Sequence, residues 1–333
     1  MSAQKRPSVS VPENINEEYY QISAEIMSSF PRYRPPVDLF FFNEEIAVLT
    51  PFSRKGARLS NEQVEEVAKL CEEGNLFVSR SDHHIYSEHI VKQLDLVLQD
   101  NNLKEAEIVN ICIQALKNRY NDFYQQPVKS FYASLLNDVL VVTEYLFQDK
   151  TRVGAFMRRL STDNDPASHA VNTMTVGLWL WLKYNQNVQR KTLDNLAMGL
   201  LCHDIGMSKV PPFLISRNGP LKPDEKDKVL QHPLQGAKIM QKMDAVANEI
   251  LRPCLEHQER LDGGGYPQKL KGEQIHPEGK LAALADSFCA MIAERPYAPA
   301  KNPLDAATEL SMDPRYDNNL ARMLIGAYTM GKF

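Results

Sequence analysis

Four histidines and two aspartates in the second half of this chain stand where structure alone does not ask for them. Asp165-Pro166 makes a helix start, and His169 follows four residues later on the same face. His203 and Asp204 come after Leu193, Leu196, Ala197, Leu200 and Leu201, the apolar face of a buried helix expected to end at Gly206. An imidazole beside a carboxylate at the end of such a helix is costly unless the pair is bonded or holds a cation. His232 sits at a helix joint broken by Pro233, and His257 closes the helix that starts near Asn248. Asp286 is the only charge between Lys280 and Glu294, in a run that is otherwise almost wholly apolar. A lone carboxylate there must be neutral, hydrogen-bonded or coordinated.

Taken singly, each of these residues has an ordinary structural reading. Together they form a ligand set large enough for two divalent ions, with Asp204 as the natural bridge. Imidazole and carboxylate without thiolate suit iron, manganese or zinc better than a structural cysteine-rich site. Two such ions about 3.5 to 4 Å apart can hold a water between them, lower its pKa and stabilise in-line attack at phosphorus. The chemistry that follows is phosphoester hydrolysis.

The elements that must place these residues are helices. From about residue 104 onward the pattern is one of long amphipathic helices, beginning with KEAEIVNICIQALKNRYNDFY and continuing through SFYASLLNDVLVVTEYLF. Before them, DLFFFNEEIAVL (38–49) and NLFVSRSDHHIY (75–86) have strand composition, and NEQVEEVAKLCEEG between them is a helix with Gly74 at its cap. The fold class is therefore mainly α, with a small α+β module first. Residues 1–17 are polar and expected to be disordered, 18–128 form the module, and 129–333 the helical domain. His83, His84 and His89 in the module read as a surface loop or edge strand, and no chemistry is assigned to them.

Composition narrows the classes further. The 333 residues are 43% hydrophobic, enough for a real core, and 38 Lys plus Arg against 42 Asp plus Glu leave a net charge of −4. That balance argues against bulk nucleic acid as a partner and leaves room for a local phosphate pocket. The five cysteines lack any CxxC pair and read as reduced core thiols, the start lacks a signal-peptide core, and the apolar run Val176–Leu182 is too short to span a bilayer. A cytoplasmic protein without a membrane span is expected.

The stretch HQERLDGGGYP, 257–267, places three glycines beside His257, and glycine is kept where backbone turns tightly or approaches something closely. With HDIG at 203–206, HP at 232–233, LKGEQIHP at 270–277, LADSFCAM at 284–291 and RPY at 295–297, it makes the sequence over about 150–310 resemble the HD-GYP proteins, a bacterial branch of the HD-domain metal-dependent phosphohydrolases. The resemblance implies an all-helical HD-type bundle that hydrolyses cyclic di-GMP to pGpG, GMP or both through a hydroxide bridging two metals, iron or manganese. It implies that His169, His203, Asp204 and Asp286 hold the first metal, and that Asp204 bridges to a second held with His232 and His257. Gly264, Gly265 and Tyr266 would then form the lip of the substrate groove, with Arg295 a phosphate contact suited by its fixed fork of donors.

The chain departs from that family's pattern in three places. Gln258 stands where a second histidine is usual, and Asp165 stands where members with a third metal carry a glutamate, so Asp165 and Gln258 are the candidates for an additional ion. Met207 follows HDIG where a phosphate-binding lysine is common, and Lys209 stands two residues further on. These departures set an active phosphodiesterase against a second reading: a metal-containing protein with weak or no turnover that binds a cyclic dinucleotide and signals through protein partners. A hydrolase for another nucleotide is the third reading. The N-terminal module would serve for ligand sensing, dimerisation or partner docking.

Overall fold

The computed structural model describes residues 18–43, 48–82, 85, 94–98, 103–185, 187–215, 219, 222–295, 299–331 and 333. Two compact units emerge from the chain's own contacts, Met1–Ile111 and Cys112–Phe333.

The first unit contains the expected small α+β fold. Strand β1 (Tyr19–Gln21) is followed by α1 (Ala24–Ser29), β2 (Leu39–Asn43), β3 (Val48–Ser53), α2 (Asn61–Glu72) and β4 (Leu76–Ser79). The strands form an antiparallel sheet in the order β1-β4-β2-β3. The stretch 38–49 supplies β2 and the start of β3, and the described part of 75–86 supplies β4 before a tight turn at Arg80–Asp82. Helix α2 begins with a reciprocal capping box between Ser60 and Gln63. It ends at Gly74, whose φ of 69° suits a cap without a β-carbon. His83, His84 and His89 lie outside the described residues.

The second unit is helical. In chain order it contains most of α3 (Glu105–Gln125), then α4 (Lys129–Gln148), α5 (Val153–Met157), α6 (Pro166–Tyr184), α7 (Arg190–Leu201), α8 (Pro212–Ile215), α9 (Pro223–Leu230), α10 (His232–Lys242), α11 (Asn248–Glu256), α12 (Pro277–Ile292), α13 (Pro303–Met312) and α14 (Asn318–Met330). The division of the chain falls inside α3, between Ile111 and Cys112. Cys112, Ala115, Leu116, Tyr120 and Phe123, the apolar stripe of that helix, are all buried.

Helix α6 is the centre of the bundle. It is apolar on nearly every side from Ala167 to Leu182, and it packs against α7 and α12. Helix α7 in turn packs on α4 and α11, and α10 lies on α11 and on the turn Ile205–Lys209. All five cysteines are free and buried. Among the described residues no helix is long and apolar enough to cross a membrane.

Candidate metal centre

The six predicted ligands come from five places in the bundle and meet at one point. Asp165 caps α6, and the first turn of that helix carries His169. Helix α7 stops at Leu201, earlier than the sequence suggested, so His203 and Asp204 lie beyond its end, in a bend that leads to the turn Ile205–Lys209. The cause is visible at Gly206: a β-carbon there would stand 1.9 Å from the His232 carbonyl oxygen, so only glycine lets the bend press against the start of α10. His232 opens α10 with Pro233 in its first turn, His257 follows the last residue of α11, and Asp286 lies on the buried face of α12.

His169 Nε2 is 3.0 Å from Asp286 Oδ1 and His203 Nε2 is 3.8 Å from the same oxygen. His232 Nε2 and His257 Nε2 lie 3.1 and 3.3 Å from Asp204 Oδ1 and only 2.9 Å from each other. Among the described residues two groups could hold a metal ion: His169, His203 and Asp286, and His203, Asp204 and His257.

The orientation of the imidazoles is set by the backbone. Nδ1 of His203, His232 and His257 donates to the carbonyls of Leu200, Val229 and Pro253 at 2.8, 2.8 and 2.9 Å. A carbonyl can only accept, so Nδ1 carries the hydrogen and, in the neutral ring, Nε2 presents a lone pair. His203 Nε2 is buried with no hydrogen-bond partner among the described residues, and His232 and His257 aim two such nitrogens at one another. That arrangement is costly by itself and is what a cation resolves, so the donor set fits divalent metal.

The charges agree. Burial works against a charged Asp204, but His232 and His257 outweigh it and hold this carboxyl well below the usual carboxylate range. Burial likewise opposes ionisation of Asp286, and His169 and His203 overcome it. The imidazole of His203 is disfavoured as a cation by burial, yet Asp286 and Asp204 draw its pKa upward. For His257 burial prevails and the pKa falls. Two carboxylates thus demand positive charge at this spot, and a metal ion can supply what protons on the imidazoles otherwise would.

Around the ligands lies a cleft of about 550 Å³, lined by His169, Asp204, His232 and Asp286 and by Tyr124, Met207, Arg260, Tyr266 and Arg295 among others, with His203 and His257 buried behind it. Not every predicted site residue reaches it. Tyr266 and Arg295 do, whereas Lys209 is exposed at the end of its turn and Met207 takes the place on the wall. Pro296 and Tyr297 lie outside the described residues. Asp165 lines the cleft, but its carboxylate is occupied as the helix cap, accepting from Ala167 N and Ser168 N at 3.0 and 2.9 Å and from the Ser168 hydroxyl. Gln258 turns its amide nitrogen toward Asp286 Oδ2 at 3.4 Å.

The three glycines have local reasons. Gly263 has φ 79°, and a β-carbon on Gly265 would come within 2.5 Å of the Gln258 carbonyl and the Arg260 nitrogen. Gly264 is exposed and donates to Asp262 Oδ1 at 2.7 Å. The loop is thus pinned onto the 258–260 backbone, with Tyr266 projecting into the cleft, and its peptide to Pro267 is cis.

Two buried glutamates that local sequence does not single out hold this frame. Glu259 is 1% exposed and accepts from Gln268 N and Leu270 N at 2.7 and 3.0 Å, which closes the loop. Glu256, fully buried, accepts from Arg252 Nη1 and His276 N at 2.9 and 2.8 Å and so ties the end of α11 to the cap of α12. Both glutamates lie within two residues of His257 in sequence and would pass for solvated helix-end charges. Tyr120 and Tyr124 carry only the signal of a core stripe.

A buried histidine followed by a half-buried aspartate at the end of one helix, completed by ligands from neighbouring helices, is the site of an HD-type bundle. The HD domain family matches residues 152–320, and the chain belongs to it. A cyclic di-GMP phosphodiesterase of Thermotoga maritima is 38% identical over 203 residues, covering 57% of this chain and 52% of that protein. A cyclic di-GMP phosphodiesterase of Pseudomonas aeruginosa is 32% identical over 135 residues, 39% of this chain and 33% of the relative. The matches thus span about half or less of those relatives. In fold the chain is similar to an HDG"Y"P protein of Bdellovibrio bacteriovorus, with TM-score 0.60, 16% identity, and 93% and 99% of the two chains covered.

Proposed function

We propose that this protein is a metal-dependent phosphodiesterase acting on cyclic di-GMP and releasing pGpG, GMP or both. The observation that carries the reading is the convergence of imidazole nitrogens, the unpartnered His203 Nε2 among them, on Asp204 and Asp286 at the floor of an open cleft large enough for part of a dinucleotide. His169, His203, Asp204 and Asp286 would hold one ion, and Asp204, His232 and His257 the other, with iron or manganese the favoured metals. Bound there, two divalent ions supply Lewis acidity at a phosphodiester and lower the pKa of water. The names of the relatives support the substrate class.

The chain's own residues divide the remaining work. The carbonyls of Leu200, Val229 and Pro253 keep three imidazoles in the ligating orientation. Tyr266 and Arg295, on the cleft wall, would orient the substrate, the arginine through a phosphate. Burial and the charges of Asp204 and Asp286 keep the Tyr266 phenol protonated, so it can donate a hydrogen bond to a ligand oxygen.

A binding protein with little turnover is the second reading, favoured by two specific observations. Met207 lines the cleft where Lys209 does not, and the Gln258 amide points its donor at Asp286, where a ligand would present a lone pair. Metal analysis of anaerobically prepared protein, followed by chromatographic assay of cyclic di-GMP turnover on the same sample, separates the two. Two metals with pGpG or GMP released establish the enzyme. Two metals without product, after iron and manganese reconstitution, favour the binder, which a measured Kd for cyclic di-GMP then establishes. Preference for cyclic GMP-AMP or a mononucleotide in a substrate panel would remove cyclic di-GMP as the substrate.

A further inference from the structure

Tyr124 lies on α3, outside the residues that the HD domain family matches, yet it lines the same cleft as Asp204 and Tyr266. Its side chain is half-buried. The ring rests against that of Tyr120 one turn earlier, with centroids 5.8 Å apart and planes inclined by 33°. Tyr120 is only 1% exposed, so the inner ring is fixed and backs the outer one. Burial, and then the charge of Asp204, push the Tyr124 hydroxyl up to about 12, which keeps the phenol neutral.

No step of hydrolysis asks for this ring. The donor set is complete without α3, and Tyr120 already fills the core position. The polar floor of the cleft, with its imidazoles, carboxylates, Arg260 and Arg295, suits metal and phosphate, while its wall also carries Met207, Ile215, Val229 and Tyr266. The Tyr266 ring stands edge-on to His232, whereas Tyr124 lies tilted against the buried ring of Tyr120. An aromatic face backed by a buried ring beside such a polar floor is what a purine stacks on. Building on the cyclic dinucleotide reading above, we propose that Tyr124 is a specificity-determining residue that stacks on one purine base of the substrate. The helix ahead of the family-matched residues then selects the nucleotide, and the matched residues perform the hydrolysis.

The test compares wild type with Tyr124→Ala, Tyr124→Leu and Tyr124→Phe on two substrates, cyclic di-GMP and the small diester methyl p-nitrophenyl phosphate. Tyr124→Ala and Tyr124→Leu are expected to raise KM for cyclic di-GMP roughly tenfold or more, with kcat and metal content within about twofold, and Tyr124→Phe to retain wild-type values. Hydrolysis of the small diester should be unchanged in all three. Unchanged KM in Tyr124→Ala, with wild type turning over cyclic di-GMP, overturns the assignment and leaves the phosphodiesterase reading standing. Equal losses on both substrates, or loss of metal, show a merely structural ring and also overturn it. If wild type binds without turnover, the same comparison is made on Kd, where an unchanged value in Tyr124→Ala counts against stacking. A wild type that neither binds nor hydrolyses cyclic di-GMP, yet cleaves the small diester, overturns the cyclic di-GMP reading, and the purine assignment falls with it.

Discussion

At the scale of single residues, Asp204 bears the greatest burden, since His232 and His257 both converge on its Oδ1 while His203 lies 3.9 Å from Oδ2. Asp204→Ala is expected to abolish binding of both metals, because it deletes the shared ligand, and turnover should vanish with them. Elemental analysis checks this, and full occupancy in the variant would show that Asp204 is not the bridge. Tyr266→Phe should leave metal content intact and change only kcat or nucleotide affinity. Gln258→His exchanges an amide donor for a ligand nitrogen facing Asp286. Turnover should appear or rise, and activity at the wild-type level would mean that residue 258 does not limit the site.

At the scale of elements, the site depends on how closely backbones approach. Gly206→Ala would drive a methyl group into the His232 carbonyl, so α10 must shift. The expected cost is about 1–3 kcal/mol, read as a lower denaturant midpoint at unchanged m-value, together with reduced metal content from the displaced His232. Glu259→Ala leaves the Gln268 and Leu270 amides, which Glu259 holds in part-buried hydrogen bonds, without their acceptor. A cost of about 1–3 kcal/mol is expected, with faster hydrogen exchange across the 258–270 loop and a raised KM. Metal content should be retained, since no ligand is removed.

At the scale of the whole molecule, metal and folding are linked. Ligands gathered from α6, α10, α11, α12 and the bend after α7 converge only in the folded bundle, so an ion that binds there stabilises the folded state. Removal by chelator from protein loaded at a thousand times Kd should cost about 4 kcal/mol, or roughly 8–16 °C for a unit of this size. Calorimetry should place that shift in the transition of the helical unit, and reloading should reverse it. An unchanged Tm after verified metal removal would show that the site is not coupled to the bundle's stability. Much of this was legible beforehand, for identifiable reasons. The ligands are residue types that an apolar helix tolerates only when they are bound, so His203, Asp204 and Asp286 declared themselves by their neighbours, and the helical period of the flanks announced the bundle. Local sequence does not encode what a side chain meets across space. Whether Lys209 or Met207 faces the cleft depends on the bend that Gly206 permits, and Glu256 and Glu259 read as solvated charges until α12 and the glycine loop cover them. The rings of Tyr120 and Tyr124 belong to the core by pattern and to the cleft only by packing. The sequence by itself determined the chemistry on offer and the helices that carry it, because these follow from residue type and periodicity. The tertiary structure decided which groups converge, which are shut away and which line the cleft, because those depend on contacts between residues far apart in the chain.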